Sequence, residues 1–445
     1  MVVAAALLLV GARASALSCS RDPPRDAPAG SASASRGAAI TIAPIKRVAG
    51  IPKDLNVLLV SVDSLRADMP WNGYPRPICP RLTALERDSV SYTRAYSVSS
   101  YTSMSLGGLL AGRYPSELPR DGFFFGTFPK ESAFFPRTLQ KAGIVTLGAH
   151  AHGYFKGAGF ELGFDRWELV PNLKWNNTTD ENVTGKEHEA IAERMLSDDR
   201  LVRGRFFAWF HFLDPHDQYL SHETDGIPPY GASLRDRYDA EVLFTDRQIE
   251  KLLAFVDRQP WGPRTAIIVT ADHGEAFGEH GMFSHGFEIW ENLVRVPLFL
   301  HVPGLRPRRI DEPRSALDLA PTIVELMGLP PDPAFEGKSL VPELLGDPAT
   351  PRDVLCDLPP TSDSTKRRAL IVGHKKIIAT GSDTFLRLYD LDQDPEEKYP
   401  ITTGKEFEAL SRRYQEVIKG LKEVQPYACG PGCLGGAYKN AAAPR

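Results

Sequence analysis

The sequence predicts an α/β fold with a doubly wound, mostly parallel central sheet, helices on both faces and a small C-terminal antiparallel sheet subdomain. Two observations carry this prediction. Apolar runs of strand length alternate with helical patterns through about residue 348, which is the order of elements in a doubly wound sheet. Residues 56–62 are Asn-Val-Leu-Leu-Val-Ser-Val, a nearly unbroken apolar run typical of a central strand that is covered on both faces.

Each predicted strand and helix can be assigned to a residue range. The predicted strands of the large sheet are residues 56–62, 144–149, 206–212, 265–270 and 296–302. The predicted helices are residues 80–90, 103–110, 132–142, 234–256 and 317–327. After residue 348, short strands at 369–372, 375–380 and 385–389 are joined by turns and followed by a helix at 406–424. We therefore predict a catalytic domain at 54–348 and an α+β subdomain at 349–445.

The N-terminus has the features of a targeting segment. Residues 2–10 are apolar, and Ala14-Ser15-Ala16 is a small-x-small cleavage pattern. The run is shorter than the roughly 20 residues that span a bilayer, and no Lys or Arg precedes it. Residues 1–18 are therefore either a signal peptide or a truncated membrane anchor, with a lipidated Cys19 as a further alternative. Each alternative predicts an exported or membrane-anchored protein of the periplasm or cell surface. Residues 19–53 are predicted to be a flexible linker between this N-terminal segment and the catalytic domain.

Composition excludes some partners. The 445-residue chain has 42% hydrophobic residues and a net charge of −4, so it can bury a large core and shows no basic footprint for nucleic acid. No Lys/Arg run of membrane-binding size is present.

Acidic and histidine side chains stand where predicted strands end. Asp63 follows the strand at 56–62, and Asp272-His273 follow the strand at 265–270. Because the carboxyl ends of parallel strands face one crevice, we expect these three side chains to converge. Taken singly, each is more often a turn or a helix cap, but their joint placement predicts a site for one divalent ion. Mn²⁺, Zn²⁺, Ca²⁺ and Mg²⁺ all remain open.

Thr102 is the candidate nucleophile of this site. It stands at the start of a predicted helix, where free backbone N–H groups favour a bound phosphate or sulfate. Its hydroxyl is too weakly acidic to attack at neutral pH unless a cation stabilises the oxyanion, so Thr102 is also a candidate metal ligand. If the helix starts in another register, Ser103 or Ser100 would be the attacking hydroxyl. Gly107 and Gly108 are expected to let this helix approach a neighbouring backbone.

These motifs resemble the sulfatase branch of the alkaline-phosphatase-like superfamily. The resemblance extends over residues 56–391 and is carried by the segments at 56–66, 109–115, 272–275, 278–281, 295–297, 318–322 and 388–396. It implies the same fold, with a smaller C-terminal sheet domain. It also implies that Asp63, Asp272 and His273 are metal ligands and that Thr102 is the nucleophile.

The resemblance further implies roles for histidines outside the metal set. His285 falls where sulfatases often have a lysine that contacts the ester, and His216 resembles a histidine that assists the leaving group. Both are predicted catalytic residues that would supply positive charge or a proton. His150 and His152 follow a strand end and are weaker candidates for the pocket.

The chain departs from the sulfatase pattern at four positions. Sulfatases begin this helix with a Cys or Ser that becomes formylglycine, whereas Thr102 cannot form that aldehyde. Met104 and Leu106 stand where the pattern has Pro and Arg, and Ser64 replaces the second acid of an Asp-Asp pair. Threonine with this ligand set resembles instead the phosphoglycerol and phosphoethanolamine transferases and related phosphodiesterases.

The sequence therefore predicts a metal-dependent hydrolase or transferase that acts on phosphodiesters or phosphomonoesters through a covalent Thr102 intermediate. Its expected partner is an anionic ester, such as a lipid head group or an envelope glycan. One alternative is a sulfuric ester hydrolase. The other is a degenerate member that binds an anionic glycan without turnover.

Overall fold

The computed structural model describes residues 51–123, 126–173, 183–216 and 218–427. The predicted segments 1–18 and 19–53 lie outside this range, apart from residues 51–53. The strands are β1 (Asn56–Val62), β2 (Val90–Tyr92), β3 (Ala95–Tyr96), β4 (Val145–His150), β5 (Arg166–Leu169), β6 (Phe206–Phe212), β7 (Thr265–Ala271), β8 (Ala276–Phe277), β9 (Phe283–Ser284), β10 (Arg295–Val296), β11 (Leu298–His301), β12 (Arg308–Ile310), β13 (Arg314–Ser315), β14 (Val354–Leu358), β15 (Arg367–Val372), β16 (Lys375–Thr380) and β17 (Phe385–Asp390). The α-helices are α1 (Pro80–Arg87), α2 (Thr102–Ala111), α3 (Pro136–Lys141), α4 (Gly185–Leu196), α5 (Asp199–Val202), α6 (Leu234–Asp257), α7 (Glu291–Val294), α8 (Leu319–Leu326), α9 (Val341–Leu344) and α10 (Lys405–Ile418).

The large sheet has eight strands in the order β12-β2-β11-β7-β1-β6-β4-β5. Strand β1 lies between β7 and β6 and is parallel to both, and β4 and β5 continue the parallel half. Strand β11 is antiparallel to both of its neighbours, β7 and β2. The predicted mostly parallel sheet is thus confirmed.

Alternate residues of β1 show why its sequence is apolar throughout. Val57 and Leu59 pack into one hydrophobic cluster, while Leu58 and Val60 pack into another. All seven residues of β1 are buried. Since successive side chains of a strand point to opposite faces, helices must cover both faces of the sheet, as predicted.

One predicted strand is divided in two by a proline. The apolar run at 296–302 contains Pro297, and the structure places β10 before it and β11 after it. Strand β10 pairs with β3 in a separate three-stranded sheet, while β11 joins the large sheet. Proline has no backbone N–H to donate to a ladder, which explains the break.

The helices match their predicted segments, with shorter ends in some cases. Helix α3 begins only at Pro136 rather than at residue 132, and α10 ends at Ile418 rather than at residue 424. Helix α6 begins after Ser233, whose side chain forms a capping box with Asp236. Within the described residues, no helix is long and apolar enough to cross a membrane.

The C-terminal sheet is antiparallel in the order β14-β15-β16-β17. Its last three strands were predicted, whereas β14 was not, and the predicted boundary at 348/349 lies between α9 and β14. Val354, Cys356 and Ile371 of this sheet pack in one cluster with Tyr101 and Met104, at the start of α2. The small sheet therefore supports the beginning of the helix that carries Thr102.

Helix α4 was not predicted, and its start depends on a distant carboxylate. Asp214 is 2% exposed and accepts hydrogen bonds from the backbone N–H and the hydroxyl of Thr184, the residue before α4. Burial raises the pKa of this carboxyl from 3.8 to about 6, against the hydrogen bonds from Thr184, which lower it.

This raised pKa makes folding stability depend on pH with a defined sign. A carboxyl whose pKa is raised on folding stabilises the folded state at pH values below its unfolded-state pKa. This contribution is lost as the pH rises through its folded-state pKa of about 6. Since a tenfold change in acidity corresponds to about 1.4 kcal/mol, the loss is on the order of 3 kcal/mol. We expect the free energy of unfolding of wild type relative to Asp214→Asn to fall by that amount between pH 4 and pH 8, measured by urea denaturation. A pH-independent difference between the two proteins would contradict this account.

Candidate active site

The candidate site lies at the carboxyl end of the central strands. Val62 and Ala271 are register partners in β1 and β7, so the residues that follow them, Asp63 and Asp272, emerge side by side. Thr102 is the first residue of α2, whose N-terminus meets these strand ends. The parallel pairing thus brings together side chains that are far apart in sequence.

Four predicted residues form one buried cluster. The Thr102 Oγ1 lies 3.0 Å from His273 Nε2. The same nitrogen lies 3.3 Å from Asp272 Oδ2 and 3.6 Å from Asp63 Oδ1. One ligand atom from each of Asp63, Asp272 and His273 falls within 4.8 Å of the others, and all three residues are buried.

The cluster presents lone pairs that a cation would satisfy. His273 Nδ1 lies 2.9 Å from the Gly274 carbonyl oxygen, which can only accept, so a neutral ring carries its proton there. Its Nε2 lone pair then faces the two carboxylates. Asp272 Oδ2 is buried and has no hydrogen-bond partner among the described residues. Carboxylate oxygens and an imidazole nitrogen converging in a buried space fit a divalent ion.

The two carboxyl groups differ in electrostatic environment. For Asp63, burial opposes ionisation, but the charge of His216 and the hydrogen bond from His211 hold the pKa well below its ordinary value. For Asp272, burial and the adjacent Asp63 charge raise the pKa. A cation between the two carboxylates would therefore stabilise the ionised form of Asp272 more than that of Asp63.

Ser64 has a role that the sequence did not reveal. It replaces an acid of the sulfatase pattern, and in the structure it joins the two carboxylates. Its hydroxyl donates to Asp63 Oδ1 at 3.0 Å, and its backbone N–H donates to Asp272 Oδ1 at 3.3 Å. Ser64 has a φ of 58°, in the left-handed region, which turns its backbone N–H toward Asp272 while its side chain contacts Asp63.

The other serines considered as nucleophiles make no hydrogen bond to the cluster within the described residues. Ser100 Oγ donates to the Glu288 carbonyl oxygen. Ser103 is fully buried, and its hydroxyl has no hydrogen-bond partner among the described residues. The geometry therefore favours Thr102, in the register in which it opens the helix.

The close packing of α2 involves side chains more than backbone. A Cβ added at Gly107 would lie 2.3 Å from Phe128 Cζ, and one added at Gly108 would lie 2.7 Å from Val98 Cγ1. A backbone atom is also close at Gly108, where the added Cβ would lie 3.2 Å from the Arg113 carbonyl oxygen, but the nearest atoms at both positions belong to side chains. The glycines still allow α2 to sit deep in the core.

The predicted catalytic histidines lie beside the cluster. The His285 ring lies 4.2 Å from that of His273 and 5.0 Å from that of His216, between centroids. His285 Nδ1 is 3.3 Å from both oxygens of Glu275, a fully buried carboxylate. Glu275 thus orients the His285 ring through Nδ1, and Nε2 is the ring nitrogen that does not contact Glu275. Sequence reasoning did not identify this role of Glu275.

Three other histidines, His150, His152 and His280, differ in their surroundings. The His152 ring lies 6.1 Å from that of His216, and burial lowers its pKa to about 3. His150 is fully buried against Trp167, Trp209 and Phe155, so it is part of the aromatic core. His280 stacks on Trp290 at 3.9 Å, apart from the cluster.

Comparisons with known proteins agree with this fold. A family model described as Sulfatase matches residues 55–329, and one described as N-sulphoglucosamine sulphohydrolase, C-terminal, matches residues 278–424. A choline-sulfatase of Rhizobium meliloti is 30% identical over 421 residues, covering 76% of this chain and 81% of its own length.

Two solved structures share the fold. The phosphonate monoester hydrolase of Agrobacterium radiobacter superposes with a TM-score of 0.68 at 18% identity, covering 82% of this chain and 95% of that one. The structure of BT4656 in complex with its substrate D-glucosamine-2-N,6-O-disulfate gives 0.68 at 18% identity, covering 82% and 97%. With the Sulfatase family model matching more than half of its residues, the chain belongs to the sulfatase family of enzymes.

Proposed function

We propose that the protein is a metal-dependent phosphate ester hydrolase or transferase in which Thr102 is the nucleophile. The observation that carries this proposal is the contact of 3.0 Å between Thr102 Oγ1 and His273 Nε2, beside Asp63 and Asp272. Sulfatase-family members generally bind a divalent metal ion, and these residues have the donor atoms for one. When bound, such an ion lowers the pKa of a coordinated hydroxyl and offsets the charge of the ester.

The chemical step can be written in terms of this chain's own groups. Thr102 releases its proton to solvent, its Oγ1 forms a bond to phosphorus, and the bond from phosphorus to the leaving oxygen breaks. Water or an acceptor alcohol then displaces Thr102 from phosphorus and regenerates the hydroxyl. The first acceptor makes the protein a hydrolase and the second makes it a transferase.

The start of α2 suits the anionic part of the substrate. The first backbone N–H groups of a helix have no intrahelical partner, and Tyr101, the residue before α2, contributes no capping side-chain hydrogen bond. These N–H groups and the helix dipole favour the phosphate oxygens, whose charge must be stabilised during phosphoryl transfer.

His285 and His216 serve the leaving group in this proposal. The His285 ring lies 4.2 Å from that of His273, and the His216 ring lies 5.0 Å from that of His285, between centroids. A histidine there can give a proton to the departing oxygen, which prevents the expulsion of an unstable alkoxide. The buried Glu275 carboxylate orients His285 for this role.

A sulfuric ester hydrolase is the second candidate, and the choline-sulfatase relative supports it. Threonine lacks the aldehyde hydrate that lets sulfatases eliminate sulfate, so a sulfate ester formed on Thr102 would have to be displaced by water. We therefore expect sulfate esters to be poor substrates that leave Thr102 sulfated.

One experiment separates these candidates. The protein, reconstituted with Mn²⁺ or Zn²⁺, is mixed with p-nitrophenyl phosphate, bis(p-nitrophenyl) phosphate or p-nitrophenyl sulfate, quenched in acid and measured by intact mass and peptide mapping. We expect a transient phosphate adduct on Thr102 with a phosphate ester and none in Thr102→Ala. Rapid sulfate turnover without any adduct on residue 102 would contradict the phosphate proposal.

The natural substrate is proposed to be an anionic ester outside the cytoplasm. The BT4656 structure holds a sulfated glucosamine, and other relatives are described as ulvan-active sulfatases. These relatives support an envelope glycan as the ester, and the predicted N-terminal targeting segment supports an extracytoplasmic location. A lipid head group is the other ester that we propose, on the resemblance to phosphoglycerol and phosphoethanolamine transferases.

A further inference from the structure

A chain of buried polar groups approaches the cluster from inside the sheet. It joins Trp209, Ser61, His211 and Asp63, none of which is more than 1% exposed. Ser61 and His211 are register partners in the neighbouring strands β1 and β6. Trp209 precedes His211 by two residues and Asp63 follows Ser61 by two, so the pleat places all four on one side of the sheet. We call this set the β1–β6 relay.

The hydrogen bonds of the relay have a single direction. Trp209 Nε1 can only donate, and it lies 2.8 Å from Ser61 Oγ. Ser61 Oγ lies 2.8 Å from His211 Nδ1, and His211 Nε2 lies 3.4 Å from Asp63 Oδ2. Because a carboxylate oxygen can only accept, a neutral His211 carries its proton on Nε2. Its Nδ1 is then the acceptor, and the Ser61 hydroxyl donates to it.

This direction gives the two oxygens of Asp63 different partners. Its Oδ2 receives the proton of His211, while its Oδ1 accepts from the Ser64 hydroxyl at 3.0 Å and faces His273 Nε2 at 3.6 Å. We propose that Ser61 and His211 are positioning residues that fix the Asp63 carboxylate with Oδ1 toward the cation, so that they set metal affinity without touching metal or substrate. The inference rests on the proposed function only in requiring a divalent ion at Asp63.

The surroundings of the relay hold its geometry in place. The His211 ring is flanked by His150 at 5.1 Å and by Phe155 at 5.9 Å between centroids. These rings exclude water, so the His211 nitrogens have no solvent substitute for Ser61 and Asp63. In such a dry setting a lost partner leaves a buried polar group unpaired, and the neighbouring carboxylate can turn.

Two measurements on the full-length protein test the proposal without an activity assay. Histidine labelled with ¹⁵N and ¹³C reports the ring tautomer by NMR, and Mn²⁺ titration followed by electron paramagnetic resonance reports metal affinity. In metal-free wild type we expect the His211 proton on Nε2. In Ser61→Ala we expect a mixture of tautomers and a Mn²⁺ Kd about 10- to 100-fold higher, the range typical for loss of a partner that orients a metal ligand.

Thr270→Val is the matched control. Strand β7 flanks β1 on the edge opposite to β6, and Thr270 is the register partner of Ser61 in β7. The buried hydroxyl of Thr270 donates to the Pro297 carbonyl oxygen at 2.9 Å. Removing it should lower stability and leave Mn²⁺ affinity unchanged. His211→Gln and His211→Ala form a second pair, in which the glutamine amide can still donate to Asp63 and should bind Mn²⁺ more tightly than alanine.

The outcomes separate this inference from the proposed function. Equal Mn²⁺ affinity and an unchanged His211 tautomer in Ser61→Ala would overturn the positioning role alone. If Ser61→Ala does not fold, equal affinity of His211→Gln and His211→Ala would overturn that role instead. Failure of wild type to bind Mn²⁺ or Zn²⁺ would contradict both, while an absent adduct on Thr102 leaves the relay intact.

Discussion

Replacing Thr102 with alanine is expected to lower kcat on a phosphate ester by about 10⁴-fold or more, the loss typical of removing a nucleophile. Thr102 Oγ1 is the hydroxyl in contact with His273 Nε2, and no other residue of the described chain offers one there. The change should leave the fold and the KM nearly unaltered, because it removes only a hydroxyl and a methyl group. Steady-state kinetics with bis(p-nitrophenyl) phosphate measure the effect.

Thr102→Ser and Ser103→Ala make this result interpretable. Serine keeps an attacking oxygen, so Thr102→Ser should retain a large part of the activity. Ser103 is the adjacent buried hydroxyl, with no hydrogen-bond partner among the described residues, so Ser103→Ala should be nearly neutral. A strong loss in Ser103→Ala with little loss in Thr102→Ala would move the nucleophile by one residue and overturn the assignment.

Asp272→Asn is expected to act in opposite directions with and without metal. In the loaded protein it removes a ligand, and metal affinity should fall by more than the roughly 10- to 100-fold that follows loss of an outer partner. In chelated protein the same change removes one of two adjacent buried carboxylates. Because burial and Asp63 raise the pKa of Asp272, its ionised form destabilises the metal-free fold, and an amide should stabilise it.

Thermal denaturation with and without Mn²⁺ measures this reversal. We expect Asp272→Asn to melt above wild type in chelator and below it in saturating Mn²⁺, since a ligand that binds only the folded state stabilises it. Glu275→Gln is a suitable control, because Glu275 lies next to the cluster but contacts His285 rather than the proposed ion. A melting order that is the same in both conditions would show that Asp272 does not hold the metal.

Much of the fold could be predicted because its signals are local. The apolar run of β1 and the helical pattern of α6 match their observed bounds within one residue. The missed elements have weak local signals. Strand β5 (Arg166–Leu169) is partly exposed and polar, and α4 depends on Asp214, which follows it in sequence.

The residues of the candidate site also fall into those with a local sequence signal and those without one. Asp63, Thr102, Asp272 and His273 could be selected from the sequence, because strand ends and helix starts are themselves local features. By contrast, Glu275 beside His285, and Ser64 between the two carboxylates, depend on a hairpin and on a left-handed turn.

The sequence by itself determined the α/β class, the order of elements and the residue types that converge, because apolar periodicity and residue chemistry are properties of neighbouring positions. Only the tertiary structure decided which Asp63 oxygen faces His273, which hydroxyl of the 100–103 segment meets it, and that Ser61 and His211 lie opposite each other. These facts depend on strand register and on hydrogen-bond direction between segments about 150 or more residues apart, which short-range pattern does not encode.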